Sequence, residues 1–163
     1  MPSASRAFTP ELVTDLVTRG VQVTPLLLHT GVSSLEGAER PYPERYDVPG
    51  TTATVINAAR RDGRRVVAAG TTVVRALATV TDEHATVHPG RGWTDVVVSP
   101  EQPVPSVDGL LTGWHEPESS HLMLLEAFAD PAVLQDAYET ALRDGYRWHE
   151  FGDSHLILRR RRR

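Results

Sequence analysis

The sequence predicts a layered α/β domain with an at least partly parallel sheet flanked by helices, and three observations carry that expectation. Short apolar runs alternate with amphipathic stretches of helical period along the whole chain. Glycine or proline punctuates nearly every switch between the two. The length of 163 residues, with 40% apolar and 23% charged residues, is enough for one domain with a substantial core.

The elements follow in order. Thr9 is placed to cap a helix that has Pro10 at its first position and Glu11 in its first turn. Leu12, Val13, Leu16 and Val17 share a face of that helix, and Gly20 ends it. Val21 to Leu28 reads as an extended apolar run. Residues 33–50 read as a proline-bearing loop with one short strand at Tyr46–Val48. A second helix is expected over 52–62 with Val55, Ile56 and Ala59 inward and Gly63 as its stop. Residues 65–69 form a strand that Gly70-Thr71-Thr72 turns into a third helix carrying Val73, Val74, Leu77 and Val80. Residues 82–92 are expected as loop, 95–98 as strand, and 110–112 as a further strand. Ser119 or Ser120 caps a helix over 122–128. Asp130 and Pro131 then open the most regular helix, with Val133, Leu134, Ala137, Tyr138, Ala141 and Leu142 on one face and Gly145 as terminator. A strand over 155–158 completes a single domain of residues 1–158, and residues 159–163 read as an arginine-rich tail.

Composition excludes several chemistries. No cysteine is present, which removes disulfides, thiolate metal sites and thiol nucleophiles. No lysine is present either, so Schiff-base chemistry is excluded. No His pair with metal-ligand spacing lies on one helix, and no metal is expected. No stretch approaches the length of a membrane helix, and the first residues lack an apolar signal core, so a cytoplasmic protein with no membrane partner is expected. Outside Arg159–Arg163 the chain has 12 basic against 21 acidic residues, a formal charge of −9. That balance argues against a broad nucleic-acid-binding face, and a bare terminal charge run usually reads as solvated tail, with a phosphate grip as the other reading.

Two places could hold chemistry. The Gly70-Thr71-Thr72 turn, where a strand feeds a helix, presents free backbone N–H groups and two hydroxyls to an anion or a ribose, with Arg75 one turn along. A plain structural turn would use the same residues. His115 lies in a strand-end loop near Glu116, Glu118 and Asp95, where a histidine can serve as general base or as a hydrogen-bonded structural group. Asp153 follows Gly152 just before the last strand, a turn that could place a carboxylate at a sheet end.

The run from Arg65 through Gly70-Thr71-Thr72 to Arg75-Ala76-Leu77 resembles the Gly-Thr-Thr signature of the S-adenosylmethionine:tRNA ribosyltransferase-isomerases of queuosine biosynthesis. Gly92-Trp93-Thr94-Asp95 with Pro100, and Asp108-Gly109-Leu110-Leu111-Thr112-Gly113-Trp114-His115, resemble two further motifs of that family. His29-Thr30-Gly31, Glu44, Tyr146-Arg147 and Gly152-Asp153 follow in family order, so the likeness spans about residues 2–158. Gly113 stands where the motif has Asn, Tyr42 where it has His, and Ala78 where it has Glu. The resemblance implies a fold corresponding to the C-terminal part of the family's α/β domain, without the family's β-barrel. Pro2-Ser3-Ala4 with Phe8-Thr9 resembles the family motif inside which the chain begins, so either it is a fragment or an N-terminal half is supplied elsewhere.

It also implies transfer and isomerisation of the ribosyl part of S-adenosylmethionine onto 7-aminomethyl-7-deazaguanine in tRNA. S-adenosylmethionine would be the small-molecule substrate and tRNA the partner. His115 would be the catalytic base with Asp95 and Asp153 as its partners, and Gly70, Thr71, Thr72, Arg75, His29, Glu44 and Thr112 would bind substrate. A truncated or repurposed module that binds S-adenosylmethionine or a nucleoside without catalysis is the alternative.

Overall fold

The computed structural model describes residues 3–30, 42–115 and 120–159. Thr9 caps α1 (Pro10–Thr18) by accepting from the Leu12 backbone N–H at 3.2 Å, and Gly20 leaves the helix at φ +81°, a conformation that costs other residues. The apolar run that follows is a strand only at β1 (Leu27–His29); its earlier part is pinned instead by Thr52, which hydrogen-bonds Thr24 and the Pro25 carbonyl. β2 (Glu44–Val48) leads into α2 (Gly50–Arg61), which buries Thr52, Ala53 and Ile56. β3 (Val67–Ala69) feeds α3 (Thr71–Val80) through Gly70.

The strand expected over 95–98 is not formed; the strand here is β4 (Gly90–Thr94), which begins inside the segment 82–92 read as loop. Its glycines lie under the Tyr46 ring, where a Cβ on Gly92 would sit 3.6 Å from the Tyr46 hydroxyl, so β4 can pair closely with β2. The Val96 carbonyl accepts instead from the Arg75 side chain at 3.0 Å. The chain then runs through β5 (Gly109–Gly113), α4 (Ser120–Glu126), α5 (Pro131–Arg143) and β6 (Ser154–Leu158). Asp130 caps α5 by accepting from Ala132 N–H at 2.9 Å. Leu134, Tyr138 and Ala141 of that helix are buried, whereas Val133 and Leu142, on the same predicted face, are exposed.

The strands form two three-stranded sheets. One is antiparallel, in the order β1-β2-β4; the other, β3-β5-β6, joins β3 and β5 in parallel and adds β6 antiparallel. Helix α3 contacts β2 and β4 of the first sheet and β3 and β5 of the second. It buries Val74, Ala76 and Leu77 at that junction, together with Val48, Ile56, Leu110 and Leu125. Among the described residues no helix is long and apolar enough to cross a membrane.

Candidate active site

A cleft of about 1570 Å³ opens beside the N-terminus of α3. Its polar end is lined by Glu44, Gly70, Thr71, Thr72, Arg75 and Thr112, with three histidines close by. Gly70 adopts φ +108°, which lets β3 turn sharply into α3, and its N–H donates to the Leu111 carbonyl at 2.8 Å. No side chain caps α3, so its first backbone N–H groups are left for whatever enters the cleft.

Arg75 is buried, and its guanidinium is committed to the protein. It ion-pairs with Glu44 and donates to the carbonyls of Tyr42 at 3.0 Å, Thr94 at 3.2 Å and Val96 at 3.0 Å. Thr72 donates to the other Glu44 oxygen at 3.2 Å. The carboxylate of Glu44 is thereby fixed on the cleft wall by one helix, and Arg75 acts as its clamp.

His115 follows β5 and is the middle ring of a stack. The His121 ring lies 4.1 Å away at 8°, and the His149 ring lies 4.4 Å away at 28°. The Nε2 of His115 is 3.3 Å from the Thr112 hydroxyl. Burial, reinforced by the neighbouring His121 and His149, pushes the His115 imidazole down to about 3, so the ring is neutral at physiological pH. Burial also lowers His121, with His149 and the Arg75 charge adding to the effect. His149 can approach this closely because residue 113 is glycine: a Cβ there would collide with the His149 Cβ and come within 2.9 Å of its Cα. The stacked rings present faces to one another rather than converging nitrogens, and no group of three metal-ligating residues is found among the described residues.

The Queuosine biosynthesis protein family model matches residues 1–157. The chain belongs to that family. The S-adenosylmethionine:tRNA ribosyltransferase-isomerases of Moorella thermoacetica and Natranaerobius thermophilus are 42% and 40% identical to it, each over 96% of this chain and 48% of the relative. The crystal structure of the S-adenosylmethionine tRNA ribosyltransferase of Thermotoga maritima superposes with a TM-score of 0.77 at 35% identity, covering 95% of this chain and 51% of that one. The chain thus spans about half the length of the curated relatives it matches.

Of the residues singled out in this queuosine-family sequence, Gly70, Thr71, Thr72, Arg75, Glu44, Thr112 and His115 line the one cleft. Three others do not. His29 is exposed on β1 opposite Arg45. Asp95 is exposed just after β4. Asp153 accepts from the Arg147 backbone N–H at 2.6 Å and closes the turn before β6. Glu116 and Glu118 lie outside the described residues. The groups that do flank His115, His121 and His149, carried no local signal in the sequence; the glycine at 113 was the one mark that something packs there.

Proposed function

We propose that this chain carries the part of a queuosine-family enzyme that binds S-adenosylmethionine and transfers its ribosyl moiety to 7-aminomethyl-7-deazaguanine in tRNA, within the cytoplasm. The observation that carries this reading is the meeting in one cleft of an uncapped helix N-terminus, a clamped carboxylate and a neutral imidazole. The names of the relatives support the substrate and the acceptor.

Each group suits one task. The free N–H groups at Thr71 and Thr72 favour an anion and take the methionine carboxylate. Glu44, held by Arg75 and Thr72, accepts hydrogen bonds from the ribose hydroxyls. The sulfonium acidifies the neighbouring C5′ proton, and His115, the imidazole that lines this cleft beside Thr112, is the group that receives it. The rearrangement that follows moves the sugar to the aminomethyl nitrogen and releases adenine and methionine.

Two measurements on the chain test this: calorimetry with S-adenosylmethionine, then release of adenine in the presence of precursor tRNA. Binding that Glu44→Gln and Thr72→Ala both weaken, followed by adenine release, is the expected result. Binding with no adenine release, even with the family's other half supplied, would leave a ligand-binding module and reject the catalytic reading.

A further inference from the structure

The stacked histidines reach the cleft from three separate elements. His115 lies just after β5, His121 in the first turn of α4 and His149 in the turn before β6. All three line the cleft, and each is half-buried. The proton transfer proposed above uses His115 alone, so two further imidazoles stand in the cleft without a task. The two ends of the stack differ. His149 anchors its end to the sheet: its backbone N–H donates to the Trp114 carbonyl at 2.7 Å, and its Cβ fills the space that Gly113 leaves open. His121 ends the stack on the other side of His115, with the two rings 4.1 Å apart and within 8° of parallel. Its imidazole feels the charge of Arg75, so this end lies within electrostatic reach of the clamp on Glu44. Among the described residues His115 is the one ring stacked on His121.

A flat ring that ends a parallel stack in a cleft offers a surface on which another flat heterocycle continues the stack. Aliphatic side chains would fill the same space without presenting such a face. The surroundings favour an uncharged aromatic ligand. Leu111 and Leu124 line the same cleft, so a ring seated beside His121 exchanges water for apolar surface. Burial, then His149 and Arg75, hold the His121 imidazole below the ordinary histidine range. A neutral ring has no charge with which to repel a cationic sulfonium held nearby.

We propose that the face of His121 turned away from His115 is a stacking platform for a purine-type ring. The inference rests on the proposed function for its choice of ring, because the adenine of S-adenosylmethionine and the 7-deazaguanine of the acceptor both have this chemistry. With the carboxylate at the α3 N-terminus and the ribose hydroxyls on Glu44, a stacked base is a third point of attachment. Three points fix the rotation of the sugar, and with it the atom that His115 meets.

Calorimetry with S-adenosylmethionine, adenosine and free 7-aminomethyl-7-deazaguanine tests this on the unaltered chain and on His121→Leu and His121→Phe. Leucine keeps an apolar side chain of similar size and removes the flat face; phenylalanine keeps the face and removes the ring nitrogens. Loss of one base–aromatic stack should weaken binding by about 5- to 150-fold in His121→Leu. Affinity in His121→Phe should stay within about threefold of wild type, since that ring stacks as imidazole does. A loss confined to S-adenosylmethionine and adenosine assigns the platform to adenine, and a loss confined to the deazaguanine assigns it to the acceptor base. On the unaltered chain, NMR should show nuclear Overhauser contacts between the ring protons of the bound base and those of His121, a readout independent of how the variants fold. Equal affinities in wild type and His121→Leu, losses of the same size in both variants, or a bound base without contacts to His121 would overturn the proposal. S-adenosylmethionine binding that ignores His121→Leu sinks the platform alone. Binding of adenosine or the deazaguanine that depends on His121, without S-adenosylmethionine binding, sinks the proposed activity alone, and no binding of any probe rejects both.

Discussion

Replacing Arg75 with Ala should destabilise the whole domain, because the side chain joins elements of both polar and apolar character at the centre of the fold. It removes the ion partner of Glu44, whose side chain is only 13% exposed, and the donor to three backbone carbonyls. Breaking a buried pair by deleting one member costs about 3–5 kcal/mol, since the other charge stays behind without compensation. For a chain of this size each kcal/mol moves the melting temperature by ~2–4 °C, so a fall of about 6–20 °C is expected by circular dichroism. Affinity for S-adenosylmethionine should fall in parallel, because Glu44 loses its position on the cleft wall. The double variant Arg75→Met/Glu44→Leu should recover much of the stability, since neither charge then remains, and none of the affinity. A melting temperature for Arg75→Ala within 2 °C of wild type, on the scale of ~2–4 °C per kcal/mol, would refute the clamp. Additive losses in the double variant would refute the coupling on which it depends.

Three further outcomes are expected. With the family's other half supplied, His115→Ala should lower adenine release by ~10²–10⁴-fold while S-adenosylmethionine affinity changes little, which separate turnover and calorimetry measurements check. Burial lowers His115, His121 and His155 in the folded state, so the unfolded chain binds more protons below its ordinary histidine range; stability should be complete above about pH 6.5 and decline as pH falls toward about 3, and His115→Gln should flatten urea midpoints measured across that window. Gly113→Ala places a methyl against the backbone and side chain of His149 and should cost about 1–3 kcal/mol in denaturant titration, with the His115 ring protons losing their upfield ring-current shift in the NMR spectrum.

The elements that could be read from the sequence are those whose determinants are local. Thr9-Pro10 and Asp130-Pro131 open α1 and α5 because the capping oxygen and the N–H it receives lie within three residues of each other. Gly20 and Gly145 end those helices at φ +81° and +80°, which their lack of a Cβ permits. β4 is the opposite case. Gly-Arg-Gly-Trp-Thr has little intrinsic strand preference, and it is a strand because β2, more than forty residues earlier, supplies partners from Glu44 to Val48. The valine-rich stretch beside it has the preference without the partner. The exposure of Val133 and Leu142 follows the same logic: helical period places them near the buried face, but the extent of that face is set by what packs on α5, and only Leu134, Tyr138 and Ala141 are covered.

The site divides along the same line. Gly70-Thr71-Thr72 is legible because a glycine between a strand and a helix specifies both the turn and the free N–H groups in three consecutive residues. Arg75 and Glu44 could each be picked out, but their pairing spans 31 residues and two elements, and that pairing turns the arginine from a ligand contact into a clamp. The histidine stack is assembled from the end of β5, the first turn of α4 and the turn before β6, so no window of sequence contains it. Helix α3 ties these pieces together. It presents Thr71 and Thr72 to the cleft, clamps the carboxylate of the first sheet through Arg75, and packs on β5, which delivers Thr112 and leads to His115. A shift of α3 against either sheet would therefore move the carboxylate and the imidazole relative to each other. The two sheets must be held in one relation for the carboxylate and the imidazole to share one cleft, and the buried face of Val74, Ala76 and Leu77 holds them there.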